Sequence, residues 1–501
     1  MPSPDHAAPD RTIGAGPYRR LVLRNATVID GTGAPPYGPV DIVIEDARIH
    51  SIFVLPPLGG PRLQPHERPL TGPDGREVDL AGHYVLPGLI DAHGHIGWEN
   101  HVPNAQYVYD LWLANGITTV REPGCFINGL DFVVSEARRS EANAIAAPRI
   151  HPYAGFGLDR REPFLTAADA VAWVNEVAES GAEGLKLWGY TAEIYEATLR
   201  EASRLGLGSM CHHQQSYVAQ VNALDSARLG LGSIEHFYGI PEALFADRRL
   251  QAFSLDYNYQ HEFRRFADAG DLWRQAASPG TPKYEAVLTE LLQTGVTLDP
   301  TFGVYVGLRD AERVQSSYWH REYTSPTLWD YWQPHSGAHG SFFDEWGTEQ
   351  ETAWRGNFTL WMAFVKDFHD RGGRVTVGTD PGSIFTLFGF AFAQELELLR
   401  EAGLQPLEIV HAATLAGAEL LGVAEETGSV EPGKLADLIV LPANPLSNMK
   451  VFYASHPSLE STGERLTIKD GIIYDSRALL DRVRASVRDE RDTRGAPPTS
   501  S

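Results

Sequence analysis

Hydrophobic and polar residues alternate in short runs at both ends of this chain and change style in between. From Leu21 to Leu80 the runs "LVLRNATVIDG" and "DIVIEDARIHSI" carry the period of two of half-buried strands, and the Pro/Gly-rich stretch from Pro56 to Gly75 reads as loop. Alternation returns with "GSVEPGKLADLIVL" from Gly428 and "RLTIKDGIIYD" from Arg465, so the two ends are expected to share one sheet. Between them a short apolar strand is repeatedly followed by a helical pattern: "GITTVRE" from Gly116, "APRIHPYAG" from Ala147, "EGLKLWG" from Glu183, "LGLGSMCHH" from Leu205, "LGSIEHFYG" from Leu231, "GVTLDPTFG" from Gly295 and "GGRVTVGTD" from Gly372. Together with "HYVLPGLIDAHGH" from His83, read as one strand apolar on both faces over Val85 to Ile90, these make eight units. Eight strands alternating with helices predict an α/β fold, a (β/α)8 TIM barrel, here with long insertions at about 240–294 and 303–372.

Composition narrows the class. At 501 residues with 43% hydrophobic content, one large domain and a smaller one are expected, in a soluble globular protein. The net charge of −23 opposes nucleic acid and anionic membranes, no stretch approaches the apolar length of a membrane span, and no apolar leader precedes residue 20. Cys125 and Cys211 cannot form a disulfide framework, so the cytoplasm is the expected compartment.

The chemistry lies at strand ends. In a strand, residues i and i+2 share a face, so His93 and His95 would point side by side, the geometry of two ligands on one metal. Lys186 falls on the fourth strand, His212 and His213 end the fifth, His236 the sixth and Asp380 the eighth. Each has a structural reading too: a surface lysine, a helix cap in "TDPG", a packed core histidine. Five strands sending such residues to one barrel face point instead to zinc or another divalent first-row metal, and the lack of thiolates argues against a closed structural site.

With "LPGLIDAHGH", "ANGITTVRE", "GLKLWG", "IEH", "GTDPG", "HAATLAGAELLG" and "GSVEPGKLADLIVL" in place, the chain resembles metal-dependent hydrolases of the amidohydrolase superfamily, in the group of imidazolonepropionases and barrel-type prolidases, from Leu21 to Asp475. The resemblance implies a barrel over 85–424 and a composite β-sandwich domain from 21–84 and 425–480, leaving a flexible N-terminus over 1–20 and a charged, partly disordered tail over 481–501. It implies two divalent ions, zinc first: His93, His95 and Asp380 on one, His236 on the other, and Lys186, N6-carboxylated, as the bridge. Aligning Gly206 as the turn before strand five makes His212 the remaining ligand, with His213 its rival. Glu122 stands where the family more often has aspartate. The implied reaction is hydrolysis of an amide, ester or carbamate bond by a metal-bridging hydroxide, Asp380 being the catalytic residue that carries the proton; a mononuclear deaminase or a cyclic-amidine or lactone hydrolase of the same fold is the alternative. A small-molecule substrate is expected as partner, neither nucleic acid nor membrane, and a homo-oligomer. The insertions would overhang the site, and the second is dense in aromatics (Trp319, Tyr323, Trp329, Tyr331, Trp332, Phe342, Phe343, Trp346) beside His320, His335 and His339, either packing or lining a pocket.

Overall fold

Two sheets organise the chain, and the junction between them sets the position of the site. The computed structural model describes residues 6–56, 63–125, 127–334, 343, 346–457 and 464–494. The N-terminal part supplies β1 (Arg20–Val28), β2 (Tyr37–Glu45), β3 (Arg48–Val54), β4 (Arg76–Asp79) and β5 (Tyr84–Pro87). Then come β6 (Leu89–Asp91), β7 (Ile117–Gly124), β8 (Arg149–Gly155), β9 (Gly184–Leu187), β10 (Gly208–Cys211), β11 (Ser233–Glu235) and β12 (Thr297–Asp299). The last strands are β13 (Leu438–Leu441), β14 (Leu466–Lys469) and β15 (Ile472–Asp475).

The first sheet runs β15-β14-β13-β5-β1-β2-β3, with β4 on β1, so strands from both ends of the chain do share one sheet. Alternate residues of these strands, among them Leu21, Leu23, Ile42, Ile44, Leu438 and Val440, bury one face as a core of their own. The second sheet is parallel and runs in chain order from β6 to β12, each strand beside the next.

Two expectations are corrected. Val85 to Ile90 is not one strand: β5 pairs with β1 and β13, whereas β6 pairs with β7. Gly88 is the joint between them, and only glycine fits there, since a Cβ would lie 2.1 Å from the Thr118 hydroxyl. The segment from Gly372 is also not a regular strand. It nevertheless bridges the ends of the parallel sheet, because Leu298 N–H donates to Arg374 O (2.9 Å) and Thr376 N–H to Leu298 O (3.0 Å) on one side. On the other side Ala92 N–H donates to Val377 O (2.9 Å) and Asp380 N–H to His93 O (2.8 Å).

Both insertions are largely helical, including Glu262–Ala269, Pro282–Thr294, Phe302–Arg309 and Thr348–Asp370. Most aromatics of the second one pack it down: Trp319 stacks on Phe390 and Tyr453, and the Trp332 indole donates to Gly382 O (3.0 Å). His320 bonds within its own segment to Thr324 and Val314 O. His335, His339 and Phe342 lie outside the described residues. Ser476–Arg494 is a helix lying on Ala105–Ala114, with Arg482 3.2 Å from Asp110; residues 495–501 are also outside the described ones. Among the described residues no helix is long and apolar enough to cross a membrane.

Candidate metal centre

The carboxyl ends of the parallel strands converge on one carboxylate. His93 and His95 lie in the turn just beyond β6 rather than within a strand, yet their rings are 5.5 Å apart and both reach the same space. His95 Nε2 is 3.3 Å from Asp380 Oδ1, His93 Nε2 is 3.7 Å from the same oxygen, and His236 Nε2 is 3.7 Å from Oδ2. Lys186, in β9, brings Nζ to 3.2 Å from His93 Nε2. His93, His236 and Asp380 each offer a ligand atom within 4.8 Å of the others.

The two strand-five histidines are placed differently. The His212 ring lies 4.8 Å from that of His236, at the edge of the cluster. His213 points away, with Nε2 2.7 Å from the Ser226 hydroxyl and its ring against Gly239. Adjacent residues leaving a strand face opposite ways, so only one could reach the cluster.

Each clustered histidine has its other nitrogen engaged, and this aims Nε2 inward. His93 Nδ1 donates to Glu235 (2.6 Å), His95 Nδ1 lies 3.4 Å from Glu122, and His236 Nδ1 meets the Thr301 hydroxyl. Carboxylate or hydroxyl partners of this kind set the tautomer and ring orientation that a metal ligand needs. The backbone is forced to match: His236 (φ 61), Thr301 (φ 49) and Asp380 (φ 47) sit in the left-handed region, a strain held by the packing around the site.

Electrostatics follow burial. Desolvation pulls His93 down to about 4 and His236 to about 3, and drives His212 well below the usual imidazole value, leaving neutral rings with a free lone pair. His95 is pulled down by burial too, but Asp380 and Glu122 outweigh it and raise it to about 9. Asp380 stays well below the usual carboxyl range against the pull of its burial, because His93, His95 and His236 surround it. Burial lowers Lys186, which enlarges the fraction of neutral amine, the nucleophilic form.

A second layer escaped the sequence reading. Arg121 is fully buried under His93; its Nη2 lies 3.1 Å from Glu235 and 3.3 Å from Asp299, Nη1 donates to Ser233 Oγ (2.9 Å) and Nε to Ala92 O (2.5 Å). His93, Glu235 and Asp299 form another group with ligand-like spacing, but the guanidinium already supplies its cation. Asp91 fastens the end of β6 to the bridging segment by accepting from His93 N, Thr379 N and the Thr379 hydroxyl (2.6 Å). The signal for all four was a charged residue inside an otherwise apolar strand, in "LID", "TTVRE", "SIEH" and "TLDP".

Comparison with known proteins matches residues 361–475 to the Amidohydrolase family. An adenine deaminase of Methanoculleus marisnigri is 40% identical over 101 residues, 19% of this chain and 19% of that protein. An imidazolonepropionase of Geobacillus kaustophilus is 34% identical over 110 residues, 21% of this chain and 25% of the other. The chain thus matches 19% to 25% of the length of these curated relatives. A solved Xaa-Pro dipeptidase with bound methionine shares the fold at a TM-score of 0.60 and 19% identity, covering 91% of this chain and all of that one. The bottromycin amidohydrolase does so at 0.64 and 19% identity, covering 94% and 91%. The amidohydrolase resemblance carried by the motifs is matched by the family model over residues 361–475, and the solved structures share the fold.

Proposed function

We propose that this chain is a metal-dependent hydrolase of an amide or related carbon–nitrogen bond. The reading places its chemistry at the mouth of a (β/α)8 barrel over 85–424, closed by the segment 374–380, with residues 21–84 and 425–480 forming the smaller composite domain. The observation that carries it is the convergence of three histidine Nε2 atoms on Asp380 within 3.7 Å, with Lys186 Nζ 3.2 Å from one of them.

The residues fit divalent ions. The donors are imidazole nitrogens and a carboxylate without thiolates, the set that suits zinc and its first-row neighbours, and the opposite nitrogens are already engaged. His93, His95 and Asp380 would hold one ion, His212 and His236 a second, and Lys186, as a carbamate with two anionic oxygens, would join them. Bound ions would polarise the scissile carbonyl and acidify a water at neutral pH. Asp380, reaching three histidines and partly open to the mouth, would hold the proton that the attacking water gives up and pass it to the leaving nitrogen. Glu235 would hold His93 in its ligand tautomer, and Arg121 would keep Glu235 ionised.

The adenine deaminase matches favour a second reading, a one-ion deaminase. That chemistry has no use for a buried lysine 3.2 Å from a ligand histidine, so metal content separates the two. The test joins elemental analysis to a screen of N-acyl amino acids, dipeptides, aryl amides and lactones. Two ions per chain and metal-dependent hydrolysis support the reading; full activity after metal removal refutes it.

A further inference from the structure

Four of the six residues from Asp380 to Phe385 lie in left-handed backbone: Asp380 (φ 47), Gly382 (φ 94), Ile384 (φ 51) and Phe385 (φ 59). Glycine adopts this conformation freely, but an aspartate does so at a cost, and a phenylalanine or a β-branched isoleucine at a larger one. Such strain persists only where the surroundings over-determine it, and it gathers at functional sites. Inside the loop, Gly382 N–H donates to Thr386 O (2.9 Å) and Thr386 N–H to Ser383 O (3.0 Å), which closes a turn.

The outer hold comes from a short part of the second insertion. Trp332, fully buried at the end of the helix Pro326–Tyr331, donates its indole N–H to Gly382 O (3.0 Å) and sets its ring 5.2 Å from that of Phe385. Trp329 (5.6 Å) and His320 (6.3 Å) close round the same phenylalanine. Ile384 is pressed over Gly307, where a Cβ would lie 3.0 Å from its Cγ2. From the other side His101 backs Gly382, since a Cβ there would lie 2.9 Å from its Cε1. Between Gly382 and Asp380 stands Pro381, whose ring fixes φ and leaves little slack. Trp319, in the same insertion, makes no such bond: its indole nitrogen is buried without a partner, and its ring stacks on Phe390 and Tyr453.

We propose that Trp332 is a positioning residue, whose indole N–H latches the strained loop 381–385 and so keeps Asp380 opposite His93, His95 and His236. The proposal rests on the hydrolase reading above for the work that Asp380 does, but not for the latch itself. Trp332 acts through Gly382 and not on the reacting atoms.

The test compares Trp332→Phe with Trp319→Phe in the full-length chain. The chemical change is the same, and only at 332 does a hydrogen bond go with it. Denaturant melts identify variants that fold; benzothienylalanine in place of Trp332, which keeps the double ring and lacks the N–H, serves if the phenylalanine variant does not. Hydrogen exchange of the metal-free protein, read on residues 378–390, should quicken about 10-fold when the bond at 332 is lost and stay within about threefold of wild type in Trp319→Phe. In the cobalt-loaded protein the visible d–d bands, which follow ligand geometry, should shift in the 332 variant alone. On a substrate from the screen above, kcat should fall about 10-fold with KM within about threefold of wild type, because the proton carrier is displaced and the binding surface is not. Faster exchange in the 332 variant, with no cobalt bound by the wild type, would leave the latch standing and sink the hydrolase reading. Equal effects of the two substitutions, or exchange and spectrum unchanged at 332, overturn the proposal and leave Trp332 as packing for the insertion.

Discussion

Replacing Glu235 by glutamine keeps the volume of a fully buried side chain and removes one negative charge from beneath His93. In the native arrangement one carboxylate oxygen accepts from His93 Nδ1 at 2.6 Å, and the other accepts from Ser233 Oγ and from Arg121 at 3.1 Å. A glutamine has one acceptor oxygen for these two sides. If its carbonyl faces His93, its amide hydrogens confront Arg121, whose buried charge keeps only Asp299 at 3.3 Å. If the amide faces His93, Nδ1 must accept, the ring proton moves to Nε2, and the lone pair aimed at Asp380 disappears. Removing one partner of a buried ion pair costs about 3–5 kcal/mol; with Asp299 still beside Arg121, about 2 kcal/mol is the reasoned loss in stability. Second-layer partners of metal-bound histidines are worth about 10- to 100-fold in affinity, so zinc affinity should fall by that much. Competition against a fluorescent chelator measures the affinity, and denaturant melts of the metal-free protein measure the stability separately. Zinc affinity within about threefold of wild type would refute the tautomer argument, whatever the stability shows.

Other outcomes follow from the same geometry. Chelation should abolish hydrolysis, and zinc, cobalt or manganese should restore it, read as activity against metal content. Lys186→Ala should still fold, hold fewer than two ions per chain and lose at least roughly 10³-fold in kcat, with partial rescue by a short carboxylic acid whose oxygens can bridge as a carbamate would. His212→Asn should lose metal, whereas His213→Asn should keep it and lose only about 1 kcal/mol with its Ser226 hydrogen bond, as elemental analysis and melts would show. Burial raises Glu242 to about 7, so between an unfolded value near 4.5 and about 7 the folded state binds the extra proton and stability falls as pH rises. Melts of Glu242→Gln at pH 5 and pH 8 should therefore show less loss on going to pH 8 than wild type, by up to about 3 kcal/mol.

The amino-acid sequence by itself determined the elements and most of the ligand candidates, because both are written in local spacing. Period-two alternation marks the strands of the first sheet, both-face apolar runs mark β7 to β12, and histidine, lysine or aspartate at a strand end is carried wherever the strand goes. What local spacing does not contain is which neighbours crowd a residue. The division of "VLPGLI" into β5 and β6 follows from Thr118 pressing on Gly88, a residue thirty positions away. Whether His212 or His213 meets His236 depended on where β10 ends its twist against the turn at Gly239. Arg121, Glu235 and Asp299 looked like isolated charges in their strands until the fold brought β7 across to the neighbouring β11 and β12, with the Arg121 guanidinium 3.1 Å from Glu235 and 3.3 Å from Asp299. Spacing along the chain sets which side a residue faces; a buried charge or a shared ligand needs partners at hydrogen-bond distance, and those come from segments far apart in sequence that only tertiary packing joins.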